Sequence, residues 1–254
     1  MRHIRTDILM YHSVSDRGGA TAVAPDVFAM QMRILAQSGI PVLTMDGWLA
    51  ARQAGSLPHR SVVITFDDGF QDFAEMAWPV LRSHGLLPIV YLPTGRVGGV
   101  EDWYGTDARP RPLMGWDTIR ALTREGVLFG SHTVSHPNLN ALDAAELGRE
   151  LSQSRAEMTQ RLGVQPRHFA APYGLANRKV RAEIARHYDS SVSTRLGQVG
   201  AGRQAHDLPR IEMFYFSDAA RWRAHLAGQG QFYLARRQAL RAVKNRIMNP
   251  WRGL

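Results

Sequence analysis

Cysteine is missing from the 254 residues, lysine occurs only at Lys179 and Lys244, and no acidic residue follows Asp218. Without cysteine there is no disulfide framework, thiolate metal site or cysteine nucleophile, so any metal must be held by His, Asp or Glu. Long hydrophobic runs are also missing. The longest, residues 86–92, has the length of a strand and is too short to span a bilayer. Residues 1–7 carry charges and no apolar stretch, so neither a signal peptide nor a membrane-spanning helix is expected, and a cytoplasmic location is. What is present, 44% hydrophobic residues, excludes intrinsic disorder and fits one sizeable globular domain or two small ones.

The net charge of +9 is unevenly placed. Eight basic residues follow Asp218 (Arg221, Arg223, Arg236, Arg237, Arg241, Lys244, Arg246 and Arg252), whereas the 23 basic and 22 acidic residues before them nearly balance. No basic stripe with interleaved aromatics crosses the body, so a nucleic-acid partner is not expected.

Short β-rich runs alternate with amphipathic ones. Strands are expected at residues 8–11, 41–43, 62–66, 88–92, 127–130, 168–170, 188–193 and 210–213, with helices near 26–37, 70–84, 116–124, 143–162, 177–187 and 218–227. Asp143 and Glu146 form a capping-box pattern ahead of the 143–162 segment, and Gly163 stands just past its end. Strand and helix in repeated alternation predict a parallel sheet with a helical cover, for which a closed or nearly closed barrel is the natural form. Chemistry is then expected on the loops after the strands' carboxyl ends. The longest loop, residues 94–115, is rich in Gly and Pro and carries Trp103, Tyr104, Arg109 and Arg111.

Three segments after apolar strands carry the chemistry. In Thr65-Phe66-Asp67-Asp68-Gly69, two adjacent carboxylates stand at a strand end, where their mutual repulsion calls for a nearby cation; the alternative is a turn with Asp67 as a helix cap. In His132-Thr133-Val134-Ser135-His136, two histidines four residues apart can point the same way. With one carboxylate they can supply an open catalytic zinc site, the same set also suits a non-haem Fe(II) centre, and the alternative is a pair of surface or capping histidines. The third, Ala170-Ala171-Pro172-Tyr173-Gly174, is a rigid turn after a strand. His12, after residues 8–11, ends the first strand.

These segments resemble the NodB-type polysaccharide deacetylases, carbohydrate esterase family 4. Residues 65–69 match the family's first motif, residues 132–136 its second, and Pro172-Tyr173 the end of its third. Met10-Tyr11-His12 ahead of the paired acids resembles the biofilm poly-N-acetylglucosamine deacetylase branch, in which the last motif is circularly permuted to the amino terminus. The resemblance covers roughly residues 6–216 and implies a distorted (β/α) barrel of about seven parallel strands. It implies Asp68, His132 and His136 as ligands of a divalent metal, with zinc the default and cobalt or nickel as alternatives. It also implies Asp67 as catalytic base, His12 as general acid, and the Tyr173 backbone N–H at the oxyanion.

Two departures stand out. The third motif ordinarily begins with an arginine that holds the base, but Ala170 is there, and Arg210 is expected to orient Asp67 instead. Ala171 occupies a position that is aromatic in the biofilm branch, which implies a different pocket wall. Pro172, Tyr173, Trp103 and Tyr104 are candidate substrate contacts, the last two by stacking on a sugar face, and Arg109 and Arg111 can meet an anionic group.

Residues 1–228 are thus expected to form a single deacetylase barrel, and 229–254 a basic amphipathic segment. In that tail Tyr233, Leu240, Val243 and Ile247 fall on one helical face with Arg237, Arg241 and Lys244 beside it, interrupted by Arg236. Packing on the barrel is preferred to peripheral membrane contact through residues 231–254. The expected activity is metal-dependent removal of an N-acetyl group from an amino sugar in a polysaccharide, oligosaccharide or lipid-linked saccharide, with that saccharide as partner and no protein partner. The alternatives are a deacylase or deformylase of a small non-carbohydrate amide and an inert carbohydrate-binding barrel.

Overall fold

The structure is a computed structural model and describes residues 4–18, 21–103, 110–200 and 202–248. Among the described residues ten strands run in chain order: β1 (Arg5–Tyr11), β2 (Ser13–Val14), β3 (Ala22–Val23), β4 (Arg60–Phe66), β5 (Ile89–Leu92), β6 (Leu128–Ser131), β7 (His168–Ala170), β8 (Ser190–Leu196), β9 (Val199–Gly200) and β10 (Leu208–Glu212). Seven of them, in the order β1, β4, β5, β6, β7, β8, β10, are parallel, and β10 pairs back onto β1 to close the barrel. The short β9 adds antiparallel to the start of β1, and β2 pairs with β3 outside the barrel. The fold is the distorted seven-stranded (β/α) barrel expected from the motifs.

Closure follows from the composition of the strands. Their apolar runs are buried on both faces, as a covered parallel sheet demands. One set of side chains, including Ile8, Val63, Ile89, Tyr91, Ala170, Val192 and Leu208, fills the barrel interior. The alternate set, including Leu9, Ile64, Phe66, Val90 and Ile211, packs outward under the helices. Helices α1 (Pro25–Gln37), α3 (Trp78–Ser83), α4 (Trp116–Arg124), α5 (Ala144–Leu162), α6 (Arg178–His187) and α7 (Ala219–Leu226) supply the cover, while α2 (Met45–Gln53) packs Met45, Trp48 and Leu49 against the interior set. The Asp143 and Glu146 capping box is present, and Gly163 closes α5 in the left-handed region.

Two expected elements take other forms. Residues 41–43 make a single bridge, Val42 to Val62, instead of a strand. Residues 70–84 divide into a π-turn at Phe73–Ala77 followed by α3. Pro79 has no N–H to give to the carbonyl one α-turn back, so a regular α-helix cannot run through this point. Helix α2 lies where no element was expected; Thr44 caps it by accepting from the Gly47 N–H.

Past α7, helix α8 (Gln231–Met248) lies on the barrel through Leu234, which is buried. The Tyr233 hydroxyl donates to the Tyr215 carbonyl at 3.0 Å, Gln238 donates to the Leu196 carbonyl at 2.8 Å, and Arg241 pairs with Glu212 at 2.9 Å. The expected apolar stripe is therefore not the packed one: Tyr233 faces the barrel while Leu240 is 51% exposed. Among the described residues no helix is long and apolar enough to cross a membrane.

Candidate active site

All three motif segments meet at the carboxyl ends of the barrel strands. Asp67 and Asp68 follow β4, where Gly69 (φ +70°) turns the chain; a Cβ there would stand 2.5 Å from the Leu92 side chain. His132 follows β6, and Tyr173 lies in a tight turn after β7. The four non-glycine residues with positive φ among those described are Asp68, Thr133, His136 and Tyr173. Each such residue costs about 1–3 kcal/mol, so the rest of the fold must hold these loops in place.

Asp68, His132 and His136 form a buried cluster whose potential ligand atoms all lie within 4.8 Å of one another. The two histidine Nε2 atoms each stand 3.4 Å from Asp68 Oδ1, an oxygen with no hydrogen-bond partner. His132 Nδ1 lies 2.7 Å from the Ala170 carbonyl. That bond places the proton on Nδ1 and leaves the Nε2 lone pair facing Asp68, the tautomer a metal ligand needs. An unpartnered buried carboxylate oxygen beside two inward imidazole nitrogens suits a divalent cation, so the residues present fit one. Burial works against ionisation of Asp68, yet the two histidines outweigh it and hold its carboxyl far below the usual range. Burial depresses His136, whereas at His132 the two neighbouring carboxylates overcome burial and raise it.

Asp67 stands apart from this cluster and is clamped by Arg210. The guanidinium donates from NH1 to Oδ1 at 2.7 Å and from NH2 to Oδ2 at 2.6 Å, a bidentate pair with both side chains buried. Arg210 is itself fixed: Nε donates to the Ser193 carbonyl at 3.0 Å and NH1 to Thr65 Oγ1 at 3.0 Å. Burial opposes the charge on Asp67, but the arginine wins and lowers its pKa. His12 Nε2 lies 3.7 Å from Asp67 Oδ2. The guanidinium that holds Asp67 thus comes from β10, while the third motif carries Ala170.

Trp103 stacks on His136, with ring centroids 4.2 Å apart, and the Tyr173 ring meets the same imidazole edge-on at 4.8 Å. Pro172 is buried beneath that turn, while Tyr173 is 41% exposed. Arg111 does not serve the anionic role expected of it. Its side chain makes a buried bidentate pair with Glu101 at 2.7 Å on each arm and lies over the Phe70 ring. Tyr104 and Arg109 lie outside the described residues.

Sequence reading missed Glu150. From α5 its carboxylate accepts the Val134 N–H at 2.7 Å, the Ser135 N–H at 3.0 Å and the Ser135 hydroxyl at 2.6 Å, holding the loop between the two histidines. Inside that loop the Thr133 hydroxyl accepts the His136 N–H at 3.0 Å. An acid on the surface of a helix 16 residues downstream carries no local signal of such a role.

Fold and site together define a class, the (β/α) barrels whose functional side chains sit on loops at the strands' carboxyl ends. The chain belongs to the polysaccharide deacetylase family, whose profile matches residues 54–189. It is 25% identical over 208 residues, 81% of this chain, to the Bacillus subtilis protein YxkH, which carries a polysaccharide deacetylase name. It is 26% identical over 165 residues, 61% of this chain, to the poly-beta-1,6-N-acetyl-D-glucosamine N-deacetylase of Staphylococcus aureus. The matched stretch spans 70% of the first relative's length and 55% of the second's. In fold the chain is similar to the Streptococcus pyogenes deacetylase PplD, with a TM-score of 0.72 over 82% of this chain and 92% of that one at 24% identity.

Proposed function

We propose that the protein hydrolyses the N-acetyl amide of an amino sugar in a polysaccharide, oligosaccharide or lipid-linked saccharide. One observation carries this reading. A buried Asp68, His132 and His136 cluster stands beside an aspartate that is kept ionised by Arg210 yet is not part of the cluster. A binding module has no use for a base so placed, whereas amide hydrolysis requires one. The staphylococcal relative's name adds N-acetylglucosamine polymers as the substrate class.

In this reading Asp68, His132 and His136 hold a divalent cation, and their nitrogen and oxygen donors favour zinc over harder ions, with cobalt or nickel as alternatives. A cation so held acidifies bound water and polarises the amide carbonyl. The remaining chemistry belongs to the chain. Asp67 accepts a proton as water oxygen adds to the carbonyl carbon, and Arg210 keeps the carboxylate aimed and charged for that step. The Tyr173 backbone N–H donates to the developing oxyanion. His12, beside Asp67, then gives a proton to the amide nitrogen as the C–N bond breaks, releasing acetate and a free amine. Trp103 and Tyr173, flanking His136, form an aromatic wall on which a sugar ring can lie.

Acetate release from chitooligosaccharides of increasing length tests the proposal. Release is expected to fall to background with chelator and in Asp67→Asn. Release that survives both treatments overturns it.

A further inference from the structure

Helix α8 is attached by one face and bare on the other. Tyr233, Leu234, Gln238 and Arg241 make its contacts with the barrel. On the opposite side stand Phe232, 82% exposed, then Ala235, Arg236, Ala239 and Leu240, all exposed at helical spacing. The sequence repeats the apolar spacing at Val243 and Ile247. A phenylalanine this exposed, in line with further apolar residues, is not needed for the fold, because the helix already has its packing face.

The charge around the stripe points to what covers it. After Asp218 the chain has eight basic residues and no acidic one. Arg236 lies within the outward face, while Arg241 is engaged with Glu212 and Arg221 and Arg237 lie over the Tyr233 ring. An apolar stripe on a helix too polar to cross a bilayer, in a segment of a single positive sign, has the chemistry of a helix lying in the headgroup layer of an anionic membrane.

We propose that the outward face of α8 docks the protein on anionic phospholipid bilayers. Phe232 and Leu240 enter the acyl boundary, and Arg236 beside them meets the phosphates. This surface is separate from the catalytic machinery and does not depend on which saccharide the enzyme takes.

Flotation of the full chain with vesicles tests this directly. Wild-type protein is expected to float with phosphatidylglycerol-containing vesicles, to float much less with pure phosphatidylcholine, and to be released by high salt. Phe232→Glu with Leu240→Glu should cut flotation by at least roughly tenfold while leaving the melting temperature unchanged, since neither side chain is in the core. Arg236→Glu, which keeps the apolar stripe, should weaken binding only to the anionic vesicles. The proposal is overturned if wild type stays unbound with anionic vesicles, or if the double variant floats as wild type does. It is equally overturned if light scattering shows a dimer that the double variant abolishes while vesicle binding is absent, because the stripe then belongs to a second copy of the chain.

Discussion

At Asp67, burial and Arg210 pull in opposite directions and the guanidinium prevails. Arg210→Lys replaces a two-armed planar donor by a point charge, so the carboxylate keeps a positive neighbour and loses its fixed aim. Turnover is expected to fall by about 100-fold with metal content, read by atomic emission, unchanged. Equal activity would remove Arg210 from the mechanism. Arg210→Gln goes further and leaves a buried charge uncompensated, at a cost of about 3–5 kcal/mol near neutral pH. The sign with pH follows from the lowered pKa. The pair contributes stability above the unfolded aspartate value of about 3.9, and that contribution is lost as pH falls. In the variant the lowering by the guanidinium is gone, so the stability gap between wild type and Arg210→Gln should narrow in acid. Urea denaturation of chelator-treated protein at neutral and acidic pH measures it.

The elements deliver these side chains with different degrees of forewarning. Strands β4 and β6 are largely apolar and run directly into the paired acids and into His132, so the acids and the histidines are legible from sequence as neighbours at one barrel mouth. Arg210 was legible by default, as an arginine on a strand where the third motif lacked one. Helix α2 was not, because Gly47 and a weakly apolar face blur its period. The π-turn was hidden because Pro79 lies inside a helical pattern, where sequence tells of a break but not of its form. Glu150 depends on α5 crossing over the histidine loop, a contact set by packing and not by spacing. Glu150→Ala removes three hydrogen bonds from residues 134–135 and should weaken metal retention by about 10- to 100-fold, as loss of support around ligands does. Competition against a chromogenic chelator reads this, with the far-UV spectrum unchanged because the Asp143 and Glu146 capping box still secures the helix.

For the molecule as a whole, the decisive contact is the one that joins its two ends far from the mouth. Asp7 on β1 is buried, and its carboxylate accepts from Gln198 Nε2 at 2.6 Å and from His225 Nε2 at 2.9 Å, with Arg60 NH2 at 3.6 Å. Arg60 also donates to the carbonyls of His225 and Leu226 at the end of α7. One carboxylate therefore ties the first strand to β4, to the turn before β9 and to the last helix of the barrel layer. Chemistry lies at the carboxyl ends of the strands and this tie near their starts, so stability and catalysis should be separable. Asp7→Ala strands Arg60 and His225 without their anion and should cost about 3–5 kcal/mol. In a barrel of this size that corresponds to a melting temperature lower by roughly 10 °C. Well below the new midpoint, acetate release per folded molecule should match wild type. A variant that melts normally would show that closure rests on the β1 and β10 pairing alone, and one that stays folded but inactive would show the two ends of the barrel to be coupled.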